Sequence, residues 1–511
     1  MVKAIIKKGS YYDSVTLMLA TQEIVRMPGV DDASIVMATK ENLAILKNAG
    51  MLSVEVENAT SNDLVISVKA QSKKQAEAAI DSVDQVLQDI GKKTDETTRL
   101  IPKSLDSALQ AMPDASLALI SVAGKYAVAE ARKALENNLH VMLFSDNVSL
   151  EDELSLKRFA HDKGLLMMGP DCGTAIINGI PLAFANVVER GNIGIIGASG
   201  TGIQEVSSII SNHGGGISQA IGTGGRDLHK EIGGVMFLDA LDALASDDET
   251  DVICLISKPP HPDVLKKISK SIQKQQKPVV ALFIGADRKT VEDSGAIPAS
   301  DLEEAALLAV ALSKQEELQS VQENLTRRST EILDQAQILA KNIKGKYLRG
   351  LFSGGTLCDE AQLLLADHGL KTYSNTPLDA DYKLKNIWKS QKHTIIDMGE
   401  DGFTSGRPHP MIDFGLRNKR ILEEAADKDV ALILFDVVLG YGAHLNPAEE
   451  LIPIIKKAKK TNPALIFVCS VTGTQADPQN AHRVEQALKD AGVEVMPSMA
   501  AATELCLNII Q

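Results

Sequence analysis

Two knots of small residues are placed where backbone amides alone could hold an anion. The first, Gly197-Ala198-Ser199-Gly200-Thr201-Gly202, follows the apolar run "IGII" and opens a helical pattern. The second, Ser353-Gly354-Gly355-Thr356, follows "YLRGLF" in the same way. Glycine lets a backbone come close to a ligand, and the first turn of a helix offers unpaired N–H groups and the positive end of its dipole. Phosphate or a similar oxyanion suits such a turn. The competing reading is an ordinary strand-to-helix turn with Ser199 or Thr201 as N-cap. Neither turn carries the lysine of a P-loop, and neither has a dinucleotide fingerprint with an acidic residue about 20 positions on, so tight nucleotide binding is not indicated.

Other side chains could complete such a site. In "GTGGRD" (222–227) the flexible Gly224 and Gly225 precede Arg226, a fork-shaped donor, and Asp227, a carboxylate. In "GRPHPMID" Arg407 could hold a substrate carboxylate, and His409 could act as acid or base. The expected division of labour is as follows. Ser199, Gly200, Thr201, Gly202, Gly224, Gly225, Ser353, Gly354, Gly355 and Thr356 bind phosphate or substrate; Arg226 and Arg407 bind the substrate carboxylate; Asp227 or His409 handles protons. His409 and Asp413 have a metal-ligand spacing but no third ligand with a matching signature, so no metal is expected. Cys172 in "GPDCG" reads as a buried, inert thiol. Lys258 and His261 in "SKPPHP" fit either substrate contact or a proline-stiffened turn.

The elements around these residues alternate strand and helix. "DASLALISVAG", "LHVMLFSD", "IGIIGASGTG", "VICLISKPP", "KPVVALFIGAD", "YLRGLFSGG", "KHTIIDMGED", "VALILFDVVLGYG" and "ALIFVCSVTGT" are short apolar runs, most of them followed by a helix-length amphipathic segment. That is the grammar of parallel sheets covered by helices, so the fold class is α/β. At 511 residues the chain should divide into roughly three or four domains. We place them at 1–188, 189–312 and 346–511, with the polar, helix-prone stretch 313–345 as a helical connector.

Composition limits the partners. Lys and Arg total 53 against 67 Asp and Glu, a net charge of −14, which leaves no basic field for nucleic acid. The five cysteines form no CxxC pair, pointing to a reducing compartment. The N-terminus lacks a long apolar region, and no stretch approaches the roughly 18 apolar residues that cross a bilayer. A cytoplasmic protein without a membrane partner is expected.

"MGPDCGTA", "IGIIGASGTG", "AIGTGGRDL" and "KPVVALFIGAD" are similar, in order and spacing, to the alpha subunit of succinyl-CoA synthetase. "LFSGGTLCDE", "IIDMGED", "LFDVVLGYG" and "VCSVTGT" resemble the carboxyl-terminal domain of its beta subunit. With "YYDSVTLM", "MLFSDNVSLEDEL" and "GRPHPMID", the chain resembles the FdrA family along nearly its whole length. The resemblance implies Rossmann-like and flavodoxin-like domains, with a CoA-binding-like domain first. It implies an acyl or carbamoyl transfer using phosphate, in particular the exchange of a carbamoyl group between oxalurate and phosphate by oxamate carbamoyltransferase in ureide nitrogen catabolism. It also implies two helix starts facing one another.

Three departures bear on chemistry. The synthetase's phosphorylated histidine has no counterpart in "RKTVEDSGAIPAS", and no histidine lies between His261 and His368. Tyr11 and Tyr12 stand where backbone would approach a CoA pyrophosphate, which argues against CoA at residues 8–14. The nucleotide-grasping domain also lacks a counterpart, so other subunits of a hetero-oligomer are expected, with phosphate or carbamoyl phosphate as substrate. The alternatives are an acyl-CoA synthetase component and a metabolite-binding regulator without catalysis.

Overall fold

The computed structural model describes residues 1–511 apart from 11, 13, 40–41, 44–45, 48, 54–55, 57–58, 61–62, 94–101 and 405–406. It has two compact units: residues 1–116, 121–127 and 400–409, and residues 117–120, 128–399 and 410–511.

In the first unit β1 (Val2–Lys7), β2 (Val30–Met37) and β3 (Leu64–Ala70) form one sheet with β3 in the middle, antiparallel to both neighbours. The helix Ser14–Val25 joins β1 to β2, giving a split β-α-β unit. Leu64, Ile66 and Val68 pack with Leu17, Ile24 and Ile80 of the helices, while Val65 faces Leu46, Met51 and Val56 on the other side. The expected α/β domain over 1–188 thus begins with an antiparallel sheet. β3 is buried on both faces apart from Lys69 and is mostly apolar, as a parallel strand would be, so its composition does not reveal the antiparallel pairing.

Among the described residues the second unit holds three sheets. Strands β4 (Leu117–Ile120), β5 (His140–Leu143) and β6 (Met167–Met168) make a small parallel sheet. Next come β7 (Thr174–Ile177), β8 (Ile180–Ala183), β9 (Arg190–Gly197), β10 (Ile217–Gly222), β11 (Val252–Ser257), β12 (Val279–Phe283) and β13 (Ile297–Pro298). Their order is β13-β12-β11-β9-β10-β7-β8, parallel from β13 to β10, with the β7–β8 hairpin added antiparallel at the edge.

The last sheet contains β14 (Tyr347–Phe352), β15 (Tyr373–Ser374), β16 (Thr394–Asp397), β17 (Val430–Val438), β18 (Ile466–Thr472) and β19 (Glu494–Met496). It is parallel throughout, in the order β15-β16-β14-β17-β18-β19. In both large sheets the strand order therefore reverses about an inner strand, β9 in one and β14 in the other. The carboxyl end of such a strand is where open α/β sheets bind ligands, and both glycine-rich turns leave from there.

One core joins the two large sheets. Ile203, Val206 and Ile210 of the helix Gly200–Asn212 share it with Leu357, Ala361 and Leu365 of the helix Gly355–Asp367 and with Leu505 of the helix Met499–Ile510. The connector contains the helix Leu318–Ala340, whose Val321, Ile332 and Ala336 are buried in the unit. Among the described residues no helix is long and apolar enough to cross a membrane.

Candidate anion site

The two glycine-rich turns meet. Ser199 N-caps the 200–212 helix by accepting from Gly202 N, and its hydroxyl also touches the Thr356 hydroxyl at the start of the 355–367 helix. A Cβ placed on Gly354 would lie 3.0 Å from Thr201 Cγ2, and one on Gly202 would lie 3.3 Å from Thr356 Cγ2. These glycines are thus required by the close approach of the two helix starts. The other motifs converge on the first turn: Gly200 abuts Thr174 Oγ1, and Gly225 faces the carbonyl of Ala198. Among the described residues the N–H groups of Gly200 and Thr201, and of Gly355, Thr356 and Leu357, carry no hydrogen bond. They are two sets of unspent donors at the positive ends of two helices.

Several expected donors and acids are occupied. The N–H groups of Ser353 and Gly354 both donate to the Asp436 carboxylate, at 2.8 Å and 2.7 Å, and the Ser353 hydroxyl adds a third bond at 2.9 Å. These two residues are therefore taken by a protein carboxylate and are unavailable to phosphate. Asp227 is fully buried. Its oxygens accept from Lys157 Nζ at 2.8 Å and, in the first turn of the helix Val235–Ser246, from Phe237 N at 2.8 Å, so they are engaged inside the protein. Arg226 pairs with Glu153 at 2.7 Å and donates to the Val148 carbonyl, which directs it to the protein itself.

Arg407 and His409 lie in the first unit, where the Arg407 guanidinium faces Asp32 at 3.4 Å. Gly406 and Tyr11 lie outside the described residues. Tyr12 packs on the core of the first unit. Burial pushes the Cys172 thiol up to about 12, as suits an inert core group. Lys258 pairs with Asp359 at 2.7 Å, one turn into the 355–367 helix, and so carries a cation toward the second helix start. His261 N-caps the helix Pro262–Ile272.

The sequence reading missed the buried acids beneath the site. Glu205 and Glu360, on the two converging helices, are buried with Asp301, Glu303 and Glu304 nearby. Burial pushes Glu205 up to about 7, and its oxygens accept from the Thr472 hydroxyl and Met499 N. Burial also holds Glu360 well above the carboxylate range; one of its oxygens accepts from Leu302 N at 2.8 Å, and the other has no partner among the described residues. Arg328 answers Glu303 with a two-pronged contact. A signal was present: an acid inside an apolar run, as in "VALILFDVV" or "GIQEVSSII", must be paired or neutral when buried.

Residues 351–508 match the CoA-ligase family model, residues 188–285 the CoA binding domain, and residues 1–101 a domain described as AllF, heavy metal-associated. The last description does not extend to the donors present, because residues 1–101 contain neither cysteine nor histidine. The alpha subunit of the ADP-forming succinate–CoA ligase of Methanothermobacter thermautotrophicus is 25% identical over 43% of this chain and 74% of its own length. Among solved structures, the dinucleotide-forming acetyl-coenzyme A synthetase 1 of Ca. Korarchaeum cryptofilum, in complex with phosphate and ADP, is 16% identical with a TM-score of 0.33, covering 77% of this chain and 82% of that one. The uncharacterized protein YahF of Escherichia coli K12 is 46% identical across 96% of this chain and 95% of its own. At that identity over nearly both full lengths, the chain belongs to the same FdrA-like family of succinyl-CoA synthetase-like proteins as YahF.

Proposed function

We propose that the chain is the acyl-phosphate-handling component of an acyl-CoA synthetase-like system. An acyl phosphate rests against the start of the 200–212 helix and passes its acyl group to a thiol such as that of CoA. The thiolate attacks the acyl carbon, the bond between that carbon and the bridging phosphate oxygen breaks, and inorganic phosphate leaves with the electron pair. The convergence of two helix starts with unspent N–H groups carries this reading, because fixed amides stabilise charge that develops on a departing phosphate. The matches to CoA-binding and CoA-ligase models support the thiol as acceptor.

A second reading, carbamoyl transfer between oxalurate and phosphate, is favoured by one observation. The segment 287–300 holds no histidine to carry a phosphoryl group, so a transfer that needs no phosphorylated protein fits it well. Both readings place the same anion on the same amides, and both call for further subunits. Acyl phosphate with CoA, compared with carbamoyl phosphate with oxamate, separates them by which pair the native complex consumes.

Binding of inorganic phosphate tests the shared element. Gly200 is the first residue of its helix, a position where proline fits, and Ser199 before it is already extended, as a residue preceding proline should be. Gly200→Pro thus removes one donor while preserving the helix. It should weaken phosphate binding by roughly 10- to 100-fold, the value of one charge-assisted hydrogen bond. Gly200→Ala places the same Cβ 3.0 Å from Thr174 Oγ1 but keeps the N–H, and it should change affinity far less. Equal dissociation constants for the two variants in calorimetry would refute amide binding at this turn.

A further inference from the structure

We infer that Asp436, held by Arg417, is a positioning residue that fixes which N–H groups of the second helix start face the bound anion. The inference rests on the phosphate reading above. Asp436 interrupts the otherwise apolar strand β17 and is fully buried, a costly placement unless the charge is fully bonded. Four donors meet it: Ser353 N, the Ser353 hydroxyl, Gly354 N and Arg417 Nη1, the last at 2.9 Å. Arg417 is itself fully buried, stacks on the Phe414 ring, and leaves Nε and Nη2 without partners among the described residues. A buried pair with two orphaned donors is poorly built for stability alone.

Its geometry serves the turn instead. The carboxylate takes the Ser353 and Gly354 amides, the two preceding the helix, and leaves Gly355, Thr356 and Leu357 as the set that remains unspent. The turn is clamped from other sides too. A Cβ on Gly354 would lie 3.2 Å from Asp436 Oδ2 and 3.0 Å from Thr201 Cγ2, and one on Gly355 would lie 2.8 Å from Asp397 Oδ2. With those contacts the Thr356 hydroxyl meets Ser199, so the position of Asp436 is transmitted to the junction of both helix starts.

Two roles for Asp436 predict opposite signs. If it acts only as a negative charge beside the site, Asp436→Asn removes repulsion and tightens phosphate binding. If it positions the turn, the asparagine NH2 cannot accept from Gly354 N, the turn shifts, and binding weakens. We expect roughly tenfold weaker binding of inorganic phosphate by calorimetry, the worth of one charge-assisted bond. Ser353→Ala removes one of the four donors and should move affinity the same way by less. Unchanged or tighter binding in a folded Asp436→Asn protein overturns the inference. Should that variant fail to fold, an unchanged phosphate affinity in Ser353→Ala overturns it equally. Failure of the wild-type chain to bind phosphate at all would instead strike the underlying reading, and this inference with it.

Discussion

Lys157→Met should destabilise the protein by about 3–5 kcal/mol, the range for breaking a buried ion pair from one side. Lys157 has no exposed surface. Its ammonium group donates to Glu153 Oε1 at 2.8 Å, to Asp227 Oδ1 at 2.8 Å and to the Thr223 carbonyl at 2.9 Å. Methionine matches the aliphatic stem, so the loss isolates the charge. Asp227 would keep only backbone donors, and Glu153 would keep only Arg226 at the edge of the cluster. An unpaired buried carboxylate must either bear its desolvation or take up a proton.

Urea unfolding followed by the fluorescence of the single tryptophan, Trp388, measures the loss. Adding Asp227→Asn to Lys157→Met should recover part of it, because the orphaned charge then disappears. A loss below about 1 kcal/mol for Lys157→Met would mean that the three contacts are not balanced as described. Lys157 also anchors the 222–227 loop through Thr223, so the stability of this cluster and the placement of Gly224 and Gly225 share one cause.

That dependence explains how unevenly the molecule could be read from its residues. The parallel sheets, and the two turns leaving β9 and β14, were legible because strand, glycine and helix periodicity are local properties. The meeting of the turns was implied by resemblance, and the contact of Ser199 with Thr356 bears it out. What local pattern hid was which polar groups are already taken. Asp227 looks reactive beside Arg226 in a glycine-rich loop, yet a lysine 70 residues earlier claims it. Ser353 and Gly354 look open, yet an aspartate 83 and 82 residues later fills their amides. Satisfaction of buried polar groups is decided by tertiary partners, and sequence spacing does not encode them. The antiparallel first sheet was hidden for a related reason, since a strand buried on both faces has the same composition in either pairing.

Stability should fall as pH rises from about 4.5 to about 7, and Glu205 should account for a measurable share of the fall. Its folded-state value is raised by burial, from the usual carboxylate value to about 7. Between those limits the folded chain holds a proton that the unfolded chain has released. The stabilisation is therefore complete below about 4.5 and is lost as pH climbs through about 7, an effect on the order of 3 kcal/mol. Glu360, also held above the carboxylate range, acts in the same direction. Glu205→Gln isolates the first contribution. A neutral carboxyl at this place accepts from Met499 N with one oxygen and can donate to the Thr472 hydroxyl with the other, and glutamine reproduces both bonds without a titrating proton. The variant should match the wild type near pH 5 and melt at a higher temperature near pH 8, so that the difference between their melting curves grows across the interval. The helix carrying Glu205 begins at Gly200, so the same variant should also hold phosphate affinity steadier between pH 6 and 8. Melting temperatures that differ by a constant amount from pH 5 to 8 would show that Glu205 is ionised throughout, and would remove the proton from the account of how these helices pack.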